Sequence, residues 1–345
     1  MKTLCIAGGA GFIGFYCANY FARQGYEINI IDNLSRGQLL NQEMPESYFD
    51  VEEKIRDQQN IHFYELDLRN FEEIKSIIGL SNAIIDAAGQ TAVTTSLIDP
   101  RTDFENNFLT TFNILEAIRS SRKKIPFIYC STNKVFGNNI DKIPLKEENT
   151  HYSFPLEYEQ GIPETFPVDL CAHTPYGASK LAADLYVQEY GKTYGIPTAV
   201  FRMSCIYGPH QYGTVDQGWV QFIVGQIARD EHVTIFGDGK QVRDILHVAD
   251  LVIAFQSFLT HFESIGTSVF CMGGGPGNVI SLLELIDIFE EKLHKKVNVE
   301  FQDWRPADQK VYISNILKAK VILDWEPQIS AEAGILELYT EILKY

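Results

Sequence analysis

The chain has 345 residues, 45% hydrophobic and 21% charged, enough to bury a large core as one big domain or two interlocked ones. A formal net charge of −16 argues against nucleic acid or anionic membranes as partners, since either needs a basic face. No apolar run reaches membrane-spanning length. The first motif starts directly after Met1 with no room for a signal peptide, and the six cysteines show neither a Cys-x-x-Cys pair nor a His/Cys metal spacing. We therefore expect a cytoplasmic protein with free thiols and no metal.

Leu4-Cys5-Ile6-Ala7 reads as a buried parallel strand, followed by Gly8-Gly9-Ala10-Gly11-Phe12-Ile13-Gly14 and an apolar helical pattern through Phe15, Ala18 and Phe21 to Gly25. The spacing places Gly8, Gly11, Phe12, Ile13 and Gly14 at a strand-to-helix turn. There the backbone can approach a pyrophosphate and a helix N-terminus offers unpaired N–H groups. A second apolar strand, Ile28 to Ile31, ends at Asp32, with Asn33 beside it. An acid there can accept hydrogen bonds from the adenosine ribose and would repel a 2′-phosphate, so the expected cofactor is NAD rather than NADP.

Ile61 to Glu65 reads as a third strand, ending near Asp67 and Leu68, where adenine would sit. Ala83 to Ala88 is a fourth, running into Gly89-Gln90-Thr91-Ala92-Val93. Small residues here let the chain pass close to a cofactor, with Ala88 and Gln90 among its expected contacts. An amphipathic helix over Asn113 to Arg122 and a fifth strand over Phe127 to Cys130 continue the alternation. Such alternation predicts an α/β fold, a doubly wound parallel Rossmann sheet. Residues 140–175 form a Pro-rich insertion, and from Val200 the pattern loosens into shorter elements. The expected division is a NAD-binding domain over 1–205 plus about 244–275. A smaller, interleaved C-terminal substrate domain takes 206–243 and 276–345.

Two further segments carry chemistry. Thr132 follows the fifth strand, where a hydroxyl at the carboxyl end faces the ligand crevice of such a sheet. Tyr176 and Lys180 lie four apart in Thr174-Pro175-Tyr176-Gly177-Ala178-Ser179-Lys180 and share a face of any helix that holds them. An adjacent ammonium favours phenolate, so the tyrosine pKa is expected to fall from about 10 towards working pH. Tyr176 would then be a general base for a sugar hydroxyl, with Thr132 sharing the proton.

The glycine triplet, the run Ser131-Thr132-Asn133-Lys134-Val135-Phe136-Gly137 and Tyr176-x-x-x-Lys180 together resemble the extended short-chain dehydrogenase/reductases acting on nucleotide sugars, over essentially the whole chain. Longer stretches resemble that family's epimerases acting at C2 of CDP-hexoses. They are Ala92-Val93-Thr94-Thr95-Ser96 with Asp99-Pro100-Arg101, Phe201 to Pro209, Asp216-Gln217-Gly218-Trp219 and Gly237 to Asp244. The resemblance implies a catalytic triad of Thr132, Tyr176 and Lys180, with NAD contacts at Gly8, Gly11, Gly14, Asp32, Asp67 and Lys180. It also implies a CDP-sugar or other nucleotide-sugar substrate near Thr94, Asn133, Ser204 and Gln217, and a homo-oligomer, dimer or tetramer. Arg243 and Arg305 are the candidate phosphate anchors, since guanidinium forks suit phosphate oxygens. Asp308, in a run resembling the family's Arg-x-x-Asp, is placed for the nucleotide ribose.

Two positions depart from the family pattern. Phe136 replaces its usual tyrosine and removes a hydroxyl near the sugar, and Thr110 replaces a helix glycine. After Thr132, the family's dehydratases carry an Asp-Glu pair that performs elimination. Here Asn133 and Lys134 stand instead, neither of them a carboxylic acid. What remains is reversible oxidation and reduction at one carbon. Inversion at C2 needs that route, because a hexose C2–H without a neighbouring carbonyl is not acidic enough to ionise. A 4-epimerase on a UDP-hexose would share the same three catalytic residues, and an NAD-binding sensor or scaffold would not need all three. Lys134 is open to either a diphosphate contact or an acid pair, and His210 and His247 are assigned to packing.

Overall fold

The computed structural model describes residues 2–40, 58–305 and 308–344. The chain divides into two compact units, the first made of Met1–Val135, Thr174–Arg202 and Val252–Val269, the second of Phe136–His173, Met203–Leu251 and Phe270–Tyr345. This grouping differs from the expected boundaries mainly at 136–173, which associates with the later part of the chain.

The first unit is built on β1 (Thr3–Ala7), α1 (Phe12–Arg23), β2 (Glu27–Asp32), β3 (Ile61–Glu65), α2 (Phe71–Leu80) and β4 (Ala83–Asp86). Then come α3 (Val93–Ile98), α4 (Pro100–Phe104), α5 (Thr110–Ser121), β5 (Phe127–Thr132), α6 (Thr174–Tyr194), β6 (Thr198–Met203), α7 (Val248–Ile265) and β7 (Ser268–Met272). The seven strands form one sheet in the order β7-β6-β5-β4-β1-β2-β3. Pairing is parallel through β5-β4-β1-β2-β3, with Leu4 opposite both Ile28 and Ala83, and Ile84 opposite Phe127. β1, β4 and β5 are almost wholly buried, as expected for parallel strands covered on both faces.

After β1 the chain winds outward through β2 and β3, then returns to lay β4 on β1's other side. Strand order therefore reverses at β1, and the crevice beyond the carboxyl ends of β1 and β4 is where such sheets bind ligands. A core of Ile74, Ile78, Ile114, Leu115, Ile118, Phe127, Tyr129 and Val187 joins sheet to helices. α6 buries Tyr176, Ser179, Lys180, Ala183, Asp184, Val187 and Tyr190, a stripe of three- and four-residue steps that turns Tyr176 and Lys180 inward.

The second unit holds a four-stranded sheet in which Val242–His247 lies between Val279–Ser281 and Val311–Tyr312 and also pairs with Cys205–Tyr207. A parallel pair, Val233–Phe236 with Val299–Gln302, and a hairpin, Lys146–Glu147 with Tyr152–Ser153, complete its strands. Val224, Ile235, Ile245, Leu285, Phe289 and Leu338 form its core. Among the described residues no helix is long and apolar enough to cross a membrane.

Candidate active site

At the end of β1 the chain turns through Gly8, whose φ of +72° is a left-handed conformation suited to glycine. A β-carbon on Gly8 would lie 2.6 Å from the Ala88 backbone nitrogen, and one on Gly14 would run into the carbonyl oxygen of Gly8. Both glycines are therefore required by close backbone approach. Gly11 is the N-cap of α1, its carbonyl accepting from Phe15 N at 2.9 Å. Phe12 is buried edge-on to Tyr16, and Ile13 is partly buried.

Asp32 ends β2 with Oδ2 accepting from Ala10 N at 3.0 Å and Oδ1 from Leu34 N at 2.9 Å. Burial pushes its pKa up, opposed by those N–H groups. Each oxygen keeps a lone pair, so ribose hydroxyls can still donate to it. A cradle that side chains would fill, next to an acid limited to accepting when ionised, fits an adenine dinucleotide with a free 2′-hydroxyl. Asn33 Nδ2 donates to Asp67 Oδ2 at 3.3 Å, and Arg69 Nη2 donates to the same oxygen at 2.6 Å, holding the Asp67 carboxyl below its ordinary range. Leu68 is buried and Ala88 half-buried. Gln90 is turned inward: its Nε2 donates to Ala92 O at 2.7 Å and Asp103 Oδ1 at 3.2 Å, and its Oε1 accepts from Ala92 N. Its side chain thus braces the loop.

β5 ends at Thr132, and α6 carries Tyr176 and Lys180 on its buried face. Thr132, Tyr176 and Lys180 are 8%, 7% and 5% exposed. Thr132 Oγ1 donates to Asn133 Oδ1 at 3.3 Å and accepts from Lys134 N at 3.3 Å. The electrostatics correct one expectation. Burial pushes the Tyr176 pKa up to about 12; Thr132 pulls it down, and the Asp103 charge pushes it further up. The Lys180 ammonium lies 4.4 Å from the centre of the Tyr129 ring, and burial lowers its pKa against the opposing pull of Asp86, Cys130, Asp103 and Asp184.

Sequence reasoning missed the acids that frame this lysine. Asp86, wholly buried at the end of β4, accepts from Thr111 Oγ1 at 2.8 Å and Ala88 N at 3.2 Å. Asp103 accepts from Ser179 Oγ, Asn107 Nδ2 and Gln90 Nε2. Asp184 is paired with Arg202 Nε at 2.9 Å and accepts from Ser131 Oγ at 2.9 Å, fixing the strand end beside Thr132. The one signal in the sequence was an acid closing an otherwise apolar strand, as at Asp86. A π-helical turn, Glu105–Leu109, precedes α5, and the Thr110 hydroxyl donates to Asn106 O at 2.8 Å, so the threonine adds a bond that glycine could not. Thr94 stands exposed on α3.

In the second unit Arg243 Nη2 donates to Asp308 Oδ1 at 2.8 Å, with the Arg243 side chain largely buried. Arg305 Nη1 donates to Val215 O at 2.6 Å, and its guanidinium carbon lies 3.7 Å from the Phe236 ring centre. Pro306 and Ala307, between Arg305 and Asp308, lie outside the described residues. Gln217 N donates to Thr214 O at 3.2 Å, and Ser204 Oγ to Asp244 O at 2.9 Å. Phe136 is fully buried, its ring 6.3 Å from Tyr312 and 5.9 Å from Phe166, so it is a packing residue of an aromatic cluster. Among the described residues no group of three or more His, Cys, Asp or Glu is placed to hold a metal ion.

Comparison with known proteins agrees with this geometry. A family model described as GDP-mannose 4,6 dehydratase matches residues 5–338. The chain is 34% identical to a CDP-paratose 2-epimerase of Salmonella typhi, over 98% of both proteins. Among solved structures it is similar to UDP-glucose 4-epimerase of Thermotoga maritima with UDP-glucose, at TM-score 0.79 and 27% identity over 99% of both chains. It is also similar to UDP-glucose 4-epimerase of Thermus thermophilus in complex with NAD, at TM-score 0.77 and 25% identity over 99% of both.

Proposed function

We propose a function from one premise: the chain belongs to the extended short-chain dehydrogenase/reductase family of nucleotide-sugar epimerases and dehydratases. Within it, this chain is an NAD-dependent epimerase that inverts C2 of a CDP-hexose of the CDP-paratose type. The observation that carries the reading is the pair after the catalytic threonine. Asn133, buried against the Thr132 hydroxyl, and Lys134 supply no carboxylic acid for elimination, while Thr132 at the end of β5 and Tyr176 and Lys180 on α6 are all buried.

The turn at Gly8, Gly11 and Gly14 would hold the pyrophosphate and Asp32 the adenosine ribose. Bound there, NAD supplies a reversible hydride acceptor whose oxidised ring adds a positive charge that Tyr176 lacks in the protein alone. Tyr176 takes the proton from the C2 hydroxyl and gives it back, and Thr132 holds the same oxygen and shares that proton. Lys180 contributes fixed positive charge at the dinucleotide. Arg243 and Arg305 offer guanidinium forks to the diphosphate, and Asp308 a carboxylate to the nucleotide ribose.

A CDP-hexose carrying deuterium at C2 tests this. The product of inverted C2 configuration should keep the label, and the sugar should take up no solvent deuterium. Washout of the label into water would sink the hydride route. A second reading, inversion at C4 of a UDP-hexose, is favoured by the likeness to two UDP-glucose 4-epimerases. It is recognised by a C4-inverted product from UDP-glucose and no change at C2.

A further inference from the structure

Asp184 lies on α6, one turn beyond Lys180 and two beyond Tyr176, and it is wholly buried. A buried carboxylate persists only where its charge and its lone pairs are matched, and here both are. Its Oδ2 accepts from Arg202 Nε at 2.9 Å and from Ser131 Oγ at 2.9 Å. Its Oδ1 accepts from Arg202 Nη2 at 3.2 Å and from Gln188 Nε2 at 2.6 Å. Two donors on each oxygen fill the group's acceptor capacity, and the guanidinium balances its charge. Asp184 therefore has no lone pair left for acid–base work, and its role is geometric.

These donors come from different elements. Gln188 is on α6 itself, so its bond holds the helix to itself, and Arg202 is on β6. Ser131 is on β5, peptide-bonded to Thr132, the last residue of that strand. Among these donors, its hydroxyl is the one that links the strand end carrying Thr132 to the helix carrying Tyr176 and Lys180. We propose that Ser131 is a positioning residue for the chemistry proposed above: through Asp184 it sets where Thr132 stands against α6. The proposal rests on that reading for its effect on turnover, though not for the tie itself. The two-pronged contact with Arg202 fixes the plane of the carboxylate, so Ser131 bonds to an acceptor that cannot swing. Removing the serine hydroxyl leaves Arg202 and Gln188 on Asp184 and no charge unpaired, so Ser131→Ala changes position and not charge. A misplacement of about 1 Å can cost up to about a hundredfold in rate.

Ser131→Ala and Gln188→Ala each take one neutral donor from Asp184, so together they separate a strand-to-helix tie from the loss of any hydrogen bond. In full-length protein, Ser131→Ala should speed amide hydrogen exchange over residues 131–135 by at least about threefold, and Gln188→Ala should leave it nearly unchanged. With the nucleotide sugar that the wild type inverts, Ser131→Ala should lower kcat about tenfold with KM within about twofold. Gln188→Ala should keep both within about twofold. In a Thr132→Val background, Ser131→Ala should lower kcat by less than about twofold further, because the hydroxyl it positions is already gone. Unchanged exchange in Ser131→Ala, equal losses in the two single variants, or a full tenfold loss on top of Thr132→Val would overturn the assignment. Faster exchange in a protein that inverts no nucleotide sugar would uphold the tie and defeat the functional reading instead.

Discussion

Lys180 and Tyr129 form a cation–π pair, the ammonium 4.4 Å from the centre of the ring. Tyr129 is wholly buried and its hydroxyl has no hydrogen-bond partner, so the residue works through its face rather than its oxygen. Tyr129→Phe keeps the face and removes an unsatisfied polar atom. It should leave turnover within about twofold and stabilise the fold by up to about 1 kcal/mol. Tyr129→Leu should cost about 2 kcal/mol or more and lower kcat. Denaturant unfolding and steady-state kinetics on the two variants separate ring from hydroxyl.

Tyr176→Phe should lower kcat at least about a hundredfold, since the proton then has no acceptor. Thr132→Val should lose less, because it removes a shared hydrogen bond rather than the base. Neither change touches the glycine turn, so both variants should still be purified with NAD(H). Near-normal turnover in the phenylalanine variant would require another route for the proton.

The glycine turn makes a paired prediction. Gly14→Ala places a β-carbon against the Gly8 carbonyl, backbone on backbone, and should cost about 1–3 kcal/mol as well as the bound dinucleotide. Gly25→Ala has nothing within 4 Å of the added carbon and only its φ of +82° to resist it. It should cost about 1–2 kcal/mol and keep the cofactor. Thermal melts and the dinucleotide released on denaturation report both quantities.

His247 predicts a dependence of stability on pH. It is buried in the second unit with its ring edge-on to Tyr207, its Nδ1 accepts from Ala249 N at 3.3 Å, and its Nε2 has no hydrogen-bond partner. Burial lowers its pKa, outweighing the pull of Glu337 and Asp250. The unfolded chain therefore takes up a proton below about pH 6.5 that the native state resists. The stability this neutral ring contributes is present above that pH and is lost as the pH falls. His247→Phe keeps the aromatic packing, so its melting temperature should drop less than the wild type's between pH 7.5 and pH 5.5.

Much of the cofactor half was legible because its signals are local. Strand, glycine turn, helix, strand and acid lie within about thirty residues, and each is fixed by its immediate neighbours: apolar runs, backbone approach at Gly8 and Gly14, and the end of β2 at Asp32. Tyr176 and Lys180 were legible for a similar reason, because a four-residue step on a helix turns both side chains the same way.

What sequence spacing could not convey was what each side chain would meet. The expectation that Lys180 lowers the Tyr176 pKa assumed that residues sharing a helix face interact with each other. Burial instead raised the phenol to about 12, and the ammonium lies over the ring of Tyr129, about fifty residues earlier in the chain. Gln90 reads as a cofactor contact from its loop, and the fold adds bonds from its amide nitrogen to Ala92 and Asp103 that spacing does not show. Residues 140–175 read as an insertion, yet Phe136–His173 groups with the later part of the chain, where Phe136 packs against Tyr312. The sequence by itself determined where the sheet turns and which chemical groups are present. Tertiary structure alone decided which charges share a low-dielectric space, because desolvation and Coulomb energy depend on distances that only the folded chain sets.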